Sequence, residues 1–168
     1  MDKYAVLDIE TTGLNPIDFQ VTCICTKDSE GYWRNGFVGD GNFTEEHLIK
    51  NVINNLEKKK ITTLITKNGK MFDIPFLIVR NPESAEFLKG LKHIDIQEYT
   101  KGRVRLTDMA YLLGTENKIG KGEDAIQLWK DKEYTKLVEY CKQDVEVTEQ
   151  CYLRLKKLSE VSADSSHK

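Results

Sequence analysis

Asp8 and Glu10 lie in the run Tyr4-Ala5-Val6-Leu7-Asp8-Ile9-Glu10, which otherwise has the apolar character of a buried strand. Strand side chains alternate, so Ala5, Leu7 and Ile9 share one face and Tyr4, Val6, Asp8 and Glu10 the other. Two like charges side by side in such a strand are costly unless something compensates them. A divalent cation resolves both the burial and the repulsion. An edge strand with its acids in water, followed by the Thr11-Thr12-Gly13 turn, does so as well, and D-x-E alone does not choose between the two. Two further acids bear on the choice. Asp73 precedes Pro75 and the apolar Phe76, Leu77, Ile78 and Val79, which reads as a helix start with aspartate as N-cap. Asp144 lies on a long amphipathic stretch, one helical turn after Tyr140. Four carboxylates suit hard ions such as Mg²⁺ or Mn²⁺, and a pair of ions ~3.5–4 Å apart is a common solution for phosphodiester hydrolysis.

These acids need a scaffold. Residues 3–9 and 19–26 are apolar and β-branched enough for strands, and Tyr32–Val38 adds a third after the turn-forming Asp28-Ser29-Glu30-Gly31. Short loops make the three an antiparallel meander. Thr44 offers an N-cap to a helix whose Leu48, Ile49, Val52, Ile53 and Leu56 recur at helical spacing, ending in Lys58-Lys59-Lys60. After that crossover, Ile61–Thr66 reads as a fourth strand parallel to a neighbour. Lys92–Ile96 is a further short strand, Leu106–Leu113 a short helix stopped by Gly114, and Thr115–Asp124 a loop rich in glycine and charge. From Tyr134 to Leu158 a long helix is expected, with Leu137, Cys141, Val145, Thr148, Tyr152 and Leu155 on one stripe.

The 168 residues suit one domain over 1–158, followed by a flexible tail over 159–168. Hydrophobic residues at 39% and charged residues at 31% exclude a disordered chain. A net charge of -2 means that attraction to a polyanion must come from local basic clusters or bound metal. No apolar run approaches the ~20 residues of a membrane span, and the N-terminus enters a strand without a signal-peptide pattern, so an intracellular, cytoplasmic protein with no membrane partner is expected. Cys23, Cys25, Cys141 and Cys151 include no C-x-x-C pair and no zinc-like spacing with the three histidines; reduced, mostly buried thiols are expected.

Three motifs occur in order: D-I-E-T-T-G-L from Asp8, N-G-K-M-F-D from Asn68 and Y-C-K-Q-D-V from Tyr140. Together they resemble the DEDD 3′–5′ exonuclease superfamily. Tyrosine four residues before the last aspartate is similar to the tyrosine subgroup, which includes proofreading domains of family B DNA polymerases and stand-alone predicted exonucleases. The sister subgroup has histidine five residues before, where this chain has Glu139. The similarity runs from Tyr4 to about Leu155 and includes F-D-I-P-F-L and G-K-G-E-D-A-I-Q-L-W. It implies a ribonuclease-H-like α/β fold, a five-stranded mixed sheet with its first three strands antiparallel and helices on both sides. It also implies two divalent metal ions, Mg²⁺ or Mn²⁺. In that scheme Asp8 bridges both ions, Glu10 and Asp144 complete the nucleophile-side ion, Asp73 supports the second partly through water, and Tyr140 orients the attacking water. A phenol, with a pKa near ~10, is a poor base at neutral pH, so the metal must deprotonate that water.

The same resemblance makes Leu14 an apolar wedge between the last two bases and brings Thr11 and Thr12 towards the terminal nucleotide. It sets Asn68 and Phe72 beside the substrate strand, although a turn at Asn68-Gly69 and a core role for Phe72 are equally natural. Lys101, Arg103 and Arg105 are a basic segment that either follows a phosphate backbone or forms a solvated loop. Lys118–Gly122 lacks the phosphate-loop pattern, Arg80 reads as a helix-surface charge, and His93 and Asp95 as a polar pair at a strand end. The implied activity is stepwise hydrolysis at the 3′ end of single-stranded DNA or RNA, DNA being favoured, with release of 5′-mononucleotides, alone or beside a separate polymerase or repair partner. A catalytically idle nucleic-acid-binding or protein-interaction module on the same fold is the rival from another class. Four retained acids, which repel phosphate, argue against it.

Overall fold

A computed structural model describes residues 3–39, 43–115 and 122–165. Its sheet comprises β1 (Tyr4–Thr11), β2 (Val21–Asp28), β3 (Trp33–Phe37), β4 (Thr63–Thr66) and β5 (Lys92–Asp95), in the order β3-β2-β1-β4-β5. The first three strands are antiparallel, and β4 and β5 run parallel to β1. The expected meander is present, and so is the expected crossover, through α1 (Glu45–Lys58). Thr44 caps α1 by accepting the His47 N–H at 3.3 Å, and Glu45 and Glu46 sit at the positive end of the helix dipole.

Strand alternation sorts the core into two layers. Ala5, Leu7 and Ile9 face α1, α2 (Asp73–Arg80) and α3 (Ala85–Gly90), among Leu48, Ile49, Phe76 and Leu88. Val6, Cys23, Cys25 and Ile65 face the other way, towards α4 (Leu106–Leu113), α5 (Gly122–Lys130) and α6 (Tyr134–Ser165). Each fully buried Leu, Ile or Phe contributes about 1.5–3 kcal/mol. Because β1 is central, both layers pin it.

Several boundaries differ from the sequence reading, each for a local reason. β2 starts at Val21 because residues 15–19 fold back on themselves: the Asn15 carbonyl accepts the Phe19 N–H at 3.0 Å, and the Asn15 side chain accepts that of Ile17 at 3.0 Å. β4 starts at Thr63, since the Thr62 and Thr63 N–H groups both turn to the Lys3 carbonyl. α5 begins at Gly122, inside the stretch expected to be a loop as far as Asp124. Its Ala125, Leu128 and Trp129 join the α6-side core, and the Trp129 indole donates to the Val38 carbonyl at 3.0 Å. The rest of that expected loop, residues 116–121, lies outside the described residues, and with it most of Lys118–Gly122. α6 continues past Leu158 to Ser165, so the expected tail begins as helix.

Asp73 is not the N-cap of α2. Phe72 holds that position without a side-chain cap, after a turn in which Asn68 adopts φ +64° and its carbonyl accepts the Phe72 N–H at 3.0 Å. Pro75 is tolerated because the first turn leaves N–H groups without intrahelical partners in any case. Among the described residues no helix is long and apolar enough to cross a membrane.

Candidate active site

Asp8 and Glu10 leave β1 on the face that carries Cys25 and Cys23, their register partners on β2. α6 packs across β1 and β2 on that side, and the Cys141 thiol donates to both the carbonyl and Oδ2 of Asp8 at 3.5 Å. Ligand atoms of Asp8, Glu10 and Cys141 lie within 4.8 Å of one another. The ladder register shifts between Glu10, paired with Cys23, and Thr11, paired with Val21, an irregularity directly after the second acid at the last pair of β1. Thr11 Oγ1 then donates to the Gly13 carbonyl at 2.7 Å, and Thr12 Oγ1 accepts the Gln20 N–H at 3.1 Å.

Asp73 approaches from the opposite layer. Its Oδ1 accepts the Ile9 N–H at 3.2 Å, so the backbone between the two strand acids holds the third. Burial pushes the Asp73 carboxyl up to about 7, against the lowering effect of hydrogen bonds from its own and the Ile9 N–H. The charges of Asp95 and Asp144 raise it further. Asp144 is therefore within electrostatic reach of Asp73, and it lies three residues beyond Cys141, which touches Asp8. Tyr140, one turn earlier, is buried with it. Asp73 and Asp144 thus join the Asp8–Glu10 pair through Ile9 and α6 without belonging to the compact group.

The remaining sequence candidates divide. Leu14 is 81% exposed on the turn that follows β1, and Ile17 and Met71 are exposed as well. Asn68 donates its N–H to Asp95 Oδ1 at 2.7 Å at the mouth of the turn. Phe72 is half-buried against the core, 5.5 Å from the Phe76 ring, which is a packing position. Lys101, Arg103 and Arg105 form an exposed loop, not a strand, and the Arg105 guanidinium closes on Asp108 at 2.9 and 3.1 Å. Arg80 is more than a surface charge. It grips Glu45 at 2.7–3.1 Å and the Pro16 carbonyl at 3.3 Å, while Glu45 Oε1 also accepts the Val21 N–H at 2.7 Å. That junction ties the loop carrying Leu14 to α1 and α2.

Three features go beyond the sequence reading, which took His93 and Asp95 only as a polar pair at a strand end. Asp95 accepts N–H groups from Asn68, Lys70 and Gln97, so the His93–Asp95 pair is structural, with His93 Nε2 2.7 Å from Thr66 Oγ1. Lys67 is half-buried among Asp95, Arg103 and Asp73, and burial lowers its pKa; its position directly before Asn68-Gly69 was the available signal. The third is the approach of Cys141 to Cys23 and Cys25, all three fully buried. The four thiols are free and buried, as expected, and burial pushes that of Cys141 well up.

Comparison with known proteins agrees with this architecture. Residues 5–156 match the model of the RNase_H superfamily. An uncharacterised protein of Methanocaldococcus jannaschii is 28% identical over 174 aligned positions, covering 88% of this chain and 92% of that one. The family B DNA polymerase of the hyperthermophilic archaeon Pyrobaculum calidifontis shares the fold, with a TM-score of 0.72 and 18% identity over 94% of this chain. This chain spans 24% of that polymerase's length. With an antiparallel β3-β2-β1 edge, parallel β4 and β5, helices on both faces and a family match over nearly its whole length, the chain belongs to the RNase H superfamily.

Proposed function

We propose that this protein is a metal-dependent 3′–5′ exonuclease of the tyrosine type, acting on the 3′ end of single-stranded nucleic acid. The observation that carries the reading is the gathering of Asp8, Glu10, Asp73 and Asp144 towards the C-terminal end of β1 from three separate elements, with Tyr140 buried one helical turn before Asp144. Carboxylates brought together on one end of the sheet, one of them pushed up to about 7 chiefly by burial, form a donor set for hard divalent ions, so the residues present fit Mg²⁺ or Mn²⁺. When bound, such ions supply an activated water and stabilise the departing 3′ oxygen. Asp8 and Glu10 project together and would hold them from the strand, Asp144 from α6 and Asp73 from the opposite layer. Tyr140 orients the attacking water through its hydroxyl.

The surroundings support a single-stranded end as substrate. Leu14 stands exposed and free to wedge between unpaired bases, on a turn braced by the Thr11 and Thr12 hydroxyls. Arg103, within electrostatic reach of Lys67, offers charge to the backbone, and Lys101 is exposed on the same loop. The test is incubation with 3′- and 5′-labelled DNA and RNA oligomers, single and double stranded, in Mg²⁺ or Mn²⁺. Stepwise 5′-mononucleotide release from the 3′ end is expected. Cleavage of circular single strands, or no hydrolysis in either metal, overturns the reading.

A further inference from the structure

The three thiols behind Asp8 have no part in that reaction. Cys23 and Cys25 are two residues apart on β2 and therefore share a face, and Cys141 meets them from α6. Zinc–sulfur bonds of ~2.3 Å require ligand sulfurs about 3.8–4.0 Å apart. The Sγ atoms of Cys23 and Cys25 are 3.9 Å apart, and all three lie within 4.8 Å of one another. Two rigid elements thus hold three soft donors close to the spacing a tetrahedral or trigonal ion needs. A further donor is at hand, since Asp8 Oδ2 is 3.5 Å from Cys141 Sγ.

We propose that Cys23, Cys25 and Cys141 form a binding site for a thiophilic d¹⁰ cation, Zn²⁺, distinct in chemistry from the carboxylate site it adjoins. On binding, each thiol releases its proton to solvent as a zinc–sulfur bond forms, and no electrons are transferred. Cys25 gives up its 3.8 Å contact to the Val138 carbonyl, and Cys141 gives up its donation to Asp8. Entry is from the carboxylate side, because Asp8 is only half-buried while the three thiols are wholly enclosed. Resting on the exonuclease reading, a consequence follows for activity: Cys141 belongs to both the thiol group and the Asp8–Glu10 group, so zinc there draws Asp8 away from the hard-ion site. Zn²⁺ is then an inhibitor of Mg²⁺-supported hydrolysis.

The experiment uses the full reduced chain, freed of metal. One equivalent of Co²⁺ as probe should give a near-ultraviolet thiolate-to-cobalt charge-transfer band. X-ray absorption on the wild-type protein loaded with Zn²⁺ should show a shell of three sulfurs. The band should vanish in Cys25→Ala, persist in Cys151→Ala and persist in Asp8→Asn. A shell of oxygen and nitrogen only, no band, or a band surviving in Cys25→Ala overturns the site, and the wild-type absorption decides even if a variant fails to fold. For the coupling, Zn²⁺ inhibition present in wild type should be lost in Cys25→Ala; equal inhibition of both refutes it. Absence of all nuclease activity would refute the exonuclease reading while the band and the sulfur shell still judge the thiol site.

Discussion

Replacing Asp73 by Asn tests whether the candidate site is held together against its own electrostatics. The carboxyl is 3% exposed and stands near 7 in the folded chain against an ordinary 3.8. Between those values the metal-free folded protein retains a proton that the unfolded chain has released, so stability falls as pH rises through the window and stays low above it. At 1.36 kcal/mol per pH unit the total is at most about 4 kcal/mol, borne entirely by the ionised form. Asn keeps an oxygen to accept the Ile9 N–H but carries no charge, so the variant should be more stable than wild type at pH 8, equally stable near pH 3.5, and lack this component of the pH slope. For a chain of this size the difference at pH 8 corresponds to roughly 8 to 16 °C in Tm as an upper bound. Urea unfolding of both proteins in EDTA, at steps from pH 3.5 to 8.5, measures it. A difference between the two that does not change with pH, or a variant less stable than wild type at pH 8, would refute the reasoning.

Asp8→Ala should abolish hydrolysis in either metal while metal-free thermal stability is unchanged or raised, because a ligand and a repelling charge leave together; retained turnover in a clean preparation ends the two-metal assignment. Tyr140→Phe keeps the buried ring, so turnover should fall sharply with Mn²⁺ affinity by calorimetry nearly unchanged, and a parallel loss of affinity would make Tyr140 structural. Leu14→Ala, at a site 81% exposed, should leave stability within about 0.5 kcal/mol and lower turnover on single strands. Blunt duplex should be digested more slowly than a single strand, since each base pair opened costs roughly 1.4 kcal/mol; the opposite order would sink the wedge.

The alternation of β1 made the pairing of Asp8 with Glu10 legible, because a period of two leaves no freedom once one face is apolar. The α1 helix was equally plain, with its cap, acidic first turn and apolar stripe all in register. Asp73 was visible as a residue but misread as a cap, since its partner is an N–H on a strand 64 positions away. The thiol group was hidden for a similar reason: i, i+2 spacing on a strand matches no zinc pattern, and the third sulfur arrives from a helix more than a hundred residues later. Arg80 looked like any charge at the end of a helix until Glu45 and Pro16 closed on it. α5 lacked a clear start because glycine and charge dominate the residues before it.

The Arg80–Glu45 junction also limits how this chain can change. One carboxylate serves both the guanidinium and the Val21 N–H, so the turn that displays Leu14 borrows its shape from two helices it does not belong to. Lysine at position 80 would keep the charge but lose the planar fork, and aspartate at position 45 would fall short of one partner or the other. The two positions are therefore free to drift only as a pair, and a random screen for lost activity should return both, although neither faces the acids. Grafting residues 12–20 onto another scaffold would carry over the letters of that turn without its conformation.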